Sequence, residues 1–196
     1  TYPGKADGTL TEMMSYGIVQ LINTENIDVT VDLHEASPEY PVINALIAHE
    51  RAMNLASNVV VDMQMEGVQI SLEPSPTDLR GLTHRELGDH TDTLALLMEA
   101  PNPAQGRLRD RTDEALVLTG KSETYVKAGE IGQLYVPYDE NGWPIEVRCA
   151  RHVFGIERIL ANYSEMYEEP IIVTGMPSYD ELVKNGMGPY LNEPTT

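Results

Sequence analysis

A short alternating run that stops at a histidine constrains this chain more than any other feature. Apolar and polar residues alternate one by one over residues 27–33, which predicts a strand that ends at His34, before a loop broken by Pro38 and Pro41. In open α/β sheets, ligands bind beyond the carboxyl ends of the strands. A histidine at such an end is placed to hold a metal ion or a proton. The alternative is that His34 only ends a strand.

The residues before this strand predict a helix with a defined start. Tyr2, Pro3 and Gly4 make a Tyr-x-Gly turn, and Thr9 and Glu12 have the spacing of a capping box. We expect the helix to run to about residue 22 with one apolar side buried and its methionines in the core. The residues expected on that side are Leu10, Met13, Met14, Ile18, Leu21 and Ile22.

A second apolar strand, predicted over residues 93–98, ends in an acid. Glu99 follows it, and Pro101 and Pro103 then stop the extended run. A carboxylate in such a place is costly to bury without a partner, so we expect Glu99 to face a cleft or a metal ion.

The turn, the helix and the two strand ends together resemble the zinc carboxypeptidase superfamily, including its deacylase branch related to succinylglutamate desuccinylase and aspartoacylase. The resemblance covers roughly residues 1–103. It implies that His34 is the third zinc ligand. It also implies that Glu99, which lies 65 residues after His34, is the catalytic glutamate.

One motif of that family is absent from this sequence. The first two zinc ligands of the family come as His-x-x-Glu upstream of the third, and none of the five histidines here has that spacing. The arginines that bind the oxyanion and the substrate carboxylate also lie upstream in the family. The resemblance therefore implies that residues 1–168 are the C-terminal part of a catalytic domain, and that residues 169–196 are an extension. A second polypeptide, the other half of a heterodimer, would supply the two missing ligands and an arginine.

The implied fold is α/β, with a mixed central sheet flanked by helices. The strands at 27–33, 68–72 and 93–98 would be neighbours, with an apolar open edge that the second polypeptide covers. The implied activity is zinc-dependent hydrolysis of a peptide or an acylated amino acid. Glu99 would take a proton from the attacking water and pass it to the leaving amine.

Composition excludes several classes of function. The net charge of −18 argues against nucleic acid and anionic membranes as partners, because both require a basic surface. No apolar run reaches membrane-spanning length. A single cysteine, Cys149, excludes an internal disulfide and a cysteine-rich zinc site. The sequence leaves the cellular compartment open.

Three side chains in the polar segment 75–92 are candidates for substrate binding, namely Arg80, His84 and Arg85. The alternative for the arginines is that they neutralise nearby acids. Glu35, next to His34, is a candidate to support the metal ligand. The segment 75–92 itself is expected to be irregular.

The other predicted elements are one long buried helix over residues 42–63, a helix over 112–127, a hairpin over 134–145 and a helix over 146–167. The tail after residue 168 is expected to hold a short extended run and a helical turn or two.

Two other functions stay open. Thr1 could be an N-terminal nucleophile, with its free amine as base. The chain could also be a binding module of the same fold without catalysis.

Overall fold

The computed structural model describes residues 2–36, 42–101 and 144–191, and it contains a four-stranded mixed sheet with helices on both faces. The strands are β1 Val29–Ala36, β2 Ala45–Ala48, β3 Ser71–Pro74 and β4 Leu94–Pro101, and their order across the sheet is β1-β4-β2-β3. The pairs β1/β4 and β2/β3 are parallel, whereas β2 and β4 are antiparallel. The predicted α/β class with a mixed sheet is therefore confirmed.

Five α-helices lie in the described residues. They are α1 Leu10–Glu25, α2 Met53–Met65, α3 Thr83–His90, α4 Ile145–Tyr167 and α5 Tyr179–Asn185, and short 3-10 helices span Glu50–Ala52 and Gly188–Tyr190. The helix predicted over 146–167 is confirmed as α4. The helix predicted over 112–127 and the hairpin over 134–145 lie outside the described residues.

The main hydrophobic core lies on the face of the sheet that α2 and α4 cover. Leu96 and Met98 of β4 point to this face and pack with Leu46 of β2, Val59 of α2 and Ile159 of α4. Because successive residues of a strand point to opposite faces, the neighbours of Leu96 and Met98 on β4 serve the other face.

The second face of the sheet has two smaller apolar clusters. Val19 and Ile22 of α1 pack with Leu87 of α3 and Ala95 of β4. Residues Ala45, Ile47 and Leu97 form the other cluster. The described helices do not cover all of this face, and a cavity lies against the part of the sheet that they leave free.

The start of α1 is as predicted, but its buried side is not. The capping box is present, with the Thr9 amide donating to Glu12 Oε2 at 2.9 Å. The buried residues are Ser15, Val19 and Ile22. Of the residues expected in the core, Leu10, Met13, Met14, Ile18 and Leu21 are exposed. This helix carries apolar residues on two faces, and periodicity alone does not tell which of them packs.

The prediction of one long helix over residues 42–63 is wrong. The segment forms β2, a 3-10 turn and then α2. Residues 43–48 are completely apolar apart from Asn44 and are buried throughout, and a short run of this kind has no period that separates a buried strand from a buried helix. His49 ends the strand and caps the 3-10 turn, where its Nδ1 accepts from the Arg51 amide at 3.4 Å.

The segment 75–92 is not irregular throughout, because its second half forms α3. The strand predicted over 68–72 begins later, at Ser71. The strands β1 and β4 are neighbours as predicted, but β3 is separated from β4 by the unpredicted β2. The missed strand is thus the element that links the two halves of the sheet.

The described part of the tail packs on α4. Leu182 of α5 is buried, and the ring of Tyr179 lies 5.9 Å from that of Phe154, centroid to centroid. A helical turn was expected here, and α5 confirms it. None of the helices in the described ranges is long and apolar enough to cross a membrane.

Candidate functional site

The pairing of β1 with β4 brings His34 and Glu99 together. The two residues are register partners on parallel strands, and the His34 Nδ1 atom lies 2.9 Å from Glu99 Oε1, within hydrogen-bonding distance. Both residues lie inside their strands, two residues before the end, because β1 continues to Ala36 and β4 to Pro101. The predicted strand end at His34 is therefore two residues too early. The prediction that Glu99 faces a cleft is confirmed, because Glu99 lines a cavity.

The two partners differ in their contact with water. The His34 side chain is 51% exposed, whereas that of Glu99 is 9% exposed. Burial raises the pKa of Glu99 above its ordinary value of 4.5, and the hydrogen bond from His34 opposes this shift. A carboxyl group with a raised pKa is suited to accept and return a proton.

A cavity of about 680 Å³ opens above this pair. Its floor is the second face of the sheet, where two rows of paired residues on neighbouring strands line it. One row pairs His34 with Glu99, and the next pairs Asp32 with Leu97, which in turn pairs with Ile47. The other described residues that line the cavity are Ala36, Val42, Glu73, Pro74, Pro76, Leu79, Gly81, Leu82, Thr83 and His84. The volume is that of an ordinary small-ligand site.

His84 is a buried imidazole in the cavity wall. It is the second residue of α3 and is 4% exposed. Neither of its ring nitrogens has a hydrogen-bond partner among the described residues. Burial lowers its pKa to about 4, although Asp32 opposes the shift, so the ring is neutral near pH 7. The structure thus brings the candidate His84 to the same cavity as His34 and Glu99.

The candidates Arg80 and Arg85 do not line this cavity. The buried Arg85 donates to both carboxylate oxygens of Glu50, at 2.8 and 2.7 Å, and to Asp89 at 2.6 Å. Arg80 donates to Asp89 at 2.7 Å and to Glu86 at 2.9 Å. This geometry favours the alternative from the sequence, in which the arginines neutralise local acids. Their role in substrate binding stays a prediction.

This ion-pair network predicts a loss of stability in acid. The hydrogen bond from Arg85 lowers the pKa of Glu50 from 4.5 to about 2 and also lowers that of Asp89. Because the folded-state pKa is depressed, the stabilisation is present above the ordinary pKa and is lost as pH falls through the folded one. We expect the free energy of unfolding to fall between about pH 4.5 and 2.

A substitution isolates the contribution of Glu50. Glu50 is more than half exposed, so solvent screening keeps the expected cost of Glu50→Gln at pH 7 to about 1 kcal/mol. Denaturant unfolding of the variant should also show a shallower loss between pH 4.5 and 2. The control is Glu25→Gln, an exposed acid with no ion pair among the described residues. Equal acid profiles for wild type and Glu50→Gln would contradict this account.

Glu35 lies on the opposite face of β1 from His34 and outside the cavity. Its carboxylate forms an ion pair with Arg148 of α4. Sequence reasoning missed His152, a half-buried residue of α4 whose pKa is lowered by burial. Thr1 lies outside the described residues.

Asp32 and Glu73 are the carboxylates of the cavity that sequence reasoning missed. The signal for Asp32 was present, because it lies two residues before His34 on the same strand and must share its face. Glu73 reaches the cavity only because the unpredicted β2 places β3 beside it.

The described donors match a zinc site only in part. His34 provides one imidazole with a carboxylate partner, an arrangement common for zinc-binding histidines. A catalytic zinc site uses three protein ligands. Within residues 2–36, 42–101 and 144–191, no group of three His, Cys, Asp or Glu side chains is arranged to hold a metal ion. The described residues would therefore supply at most one ligand, His34, to a zinc site.

Comparison with models of protein families, with curated proteins and with solved structures gives no match to this chain.

Proposed function

We propose that this chain carries the proton-transfer half of the active site of a zinc-dependent hydrolase of peptide or amide bonds, of the carboxypeptidase or N-acyl amino acid deacylase type. The observation that carries the proposal is the His34–Glu99 pair, 2.9 Å apart, on the floor of a cavity of about 680 Å³. A buried carboxyl group beside an imidazole, open to a ligand-sized space, is the combination that general acid–base chemistry requires.

The roles of the residues follow from their chemistry. Glu99 removes a proton from the attacking water and later donates it to the nitrogen of the leaving amine, so that the carboxylate is regenerated. His34 would hold zinc through an imidazole nitrogen, and the hydrogen bond to Glu99 limits the rotation of the ring. When bound, zinc supplies Lewis-acid chemistry at the scissile carbonyl.

The remaining ligands come, in this proposal, from a second polypeptide with a His-x-x-Glu motif and an arginine. Two features support a partner on this side of the molecule. β1 pairs with β4 alone among the described strands, so its other edge has no partner within the described residues. The apolar outer face of α1, formed by Leu10, Met13, Met14, Ile18 and Leu21, is exposed. Open strand edges and contiguous apolar surfaces are common at protein interfaces.

A binding module without catalysis is the second candidate. It is favoured by one observation, the lack of a three-ligand metal group among the described residues.

The test is hydrolysis by the chain purified with its partner polypeptide. We expect the complex to release amine from N-acyl amino acids or from C-terminally free dipeptides. A zinc chelator should abolish the reaction, and added zinc should restore it, because the metal is part of the reaction centre. The chain alone is the control and should be inactive.

Two results would contradict the proposal. Hydrolysis that persists in a metal-free preparation would favour Thr1 as nucleophile. A complex that binds these compounds without zinc and without turnover would favour the binding module.

A further inference from the structure

Two polar side chains in one wall of the cavity, Asp32 and His84, have no partner within the part of the chain that the structure describes. His84 is 4% exposed, and both of its ring nitrogens are unpaired among the described residues. Asp32 has no ion pair within the same ranges, and it lines both the main cavity and a smaller adjoining pocket with His84. Buried polar groups in native proteins are almost always hydrogen-bonded, so this wall is suited to meet a polar group that the described residues do not supply.

The charged residues that line the cavity indicate the charge of the ligand. Asp32, Glu73 and Glu99 line the cavity, and its lining includes no lysine or arginine from the residues that the structure describes. Arg80 and Arg85, which are close in sequence to several lining residues, are held in ion pairs outside the cavity. The carboxylates in this wall attract a positive ligand.

The chemistry of His84 narrows the class of ligand further. A neutral imidazole offers one acceptor nitrogen, which suits a group that only donates hydrogen bonds. An ammonium group is such a donor. Asp32 and His84 alone would provide too few ligands for a metal ion, and no metal-binding group that includes them occurs among the described residues.

The shape of the cavity suits an aliphatic stem. Leu97 is the register partner of Asp32, and Leu79 and Leu82 line the cavity above the sheet. Asp32 is two residues from His34 on one strand, a separation of about 6.6 Å. A side chain of four methylene carbons that ends in an ammonium group is of about this length. Its ammonium group would therefore reach Asp32 while its first carbon lies at the His34–Glu99 pair.

We propose that Asp32 and His84 bind the ammonium group of an aliphatic amine ligand, and that a lysine-like side chain is the part of the substrate that enters this cavity. Asp32 supplies the opposite charge, His84 accepts a hydrogen bond, and Leu97 contacts the stem. The assignment to a substrate rests on the proposed hydrolase function, whereas amine binding rests on the cavity alone.

The test is a binding titration of the full chain with two probes of equal length, 1-aminohexane and hexan-1-ol, by ligand-observed NMR. The amine should bind about tenfold more tightly than the alcohol, the effect expected of one charge-assisted hydrogen bond. Asp32→Asn should reduce amine affinity to the level of the alcohol. His84→Phe should weaken the amine, and His84→Gln, which keeps an acceptor, should restore part of its affinity.

The control is Asp7→Asn, an exposed acid outside the cavity, which should leave both affinities unchanged. Equal binding of the two probes by wild type would overturn the inference, and so would an amine preference that survives Asp32→Asn. The titration measures binding and not turnover, so the two proposals can fail separately. If the chain binds the amine but its complex hydrolyses nothing, this inference holds and the proposed function is wrong. Zinc-dependent hydrolysis without amine preference would do the reverse.

Discussion

Glu99→Gln should lower the rate of hydrolysis by the completed complex by about 10²–10⁴-fold, the range expected when a positioned general base is lost. Glutamine keeps the shape of the side chain and its hydrogen-bonding capacity toward His34, but it cannot take a proton. The effect should appear in kcat, with KM nearly unchanged, because Glu99 acts on the transition state. Steady-state kinetics on the best substrate measures this split.

The matched control is Glu73→Gln, which changes a carboxylate of the same cavity that is not bonded to His34. Its effect on kcat should be much smaller. If Glu99→Gln lost activity only because zinc dissociated, Glu99 would be a residue that positions His34 and not the base. Full turnover in Glu99→Gln would remove it from the mechanism.

His34→Ala should abolish activity at ordinary zinc concentrations. Even the loss of a partner that only orients a zinc ligand typically reduces metal affinity by about 10–100-fold, and the loss of a ligand should cost at least as much. The zinc concentration that gives half-maximal activity should therefore rise by at least this factor. A zinc titration of activity in the complex measures it.

His90→Ala is the control, because His90 lies on α3 outside the cavity, where its ring is 3.4 Å from Glu86. It should not change the zinc requirement. An unchanged zinc requirement in His34→Ala would contradict the ligand assignment.

The sequence predicted the strands of the site well because their signals are local. The alternation before His34 and the apolar run before Glu99 each define a strand, and parallel pairing of the two then brings both side chains to one place. The register was not predictable, because it depends on contacts between segments 65 residues apart. Because every second residue of a strand lies on the same face, the sequence alone would have identified Asp32 as a neighbour of His34.

The failures come from segments whose tertiary partners determine their structure. Residues 43–48 are buried on both faces, so their pattern fits a helix as well as the strand that β2 forms. The polar sequence of α3 resembles a loop, yet its charges pair with Glu50 and with one another. In α1 the apolar residues on the outer face predicted a core that the described residues do not provide.

The zinc content of two variants, measured side by side by mass spectrometry on the purified complex, tests the central claim most directly. The account predicts that Glu99→Gln keeps one zinc ion per complex while His34→Ala loses it, because Glu99 moves protons and His34 holds the metal. Stoichiometric zinc in His34→Ala, or loss of zinc from Glu99→Gln alone, would contradict this assignment of roles.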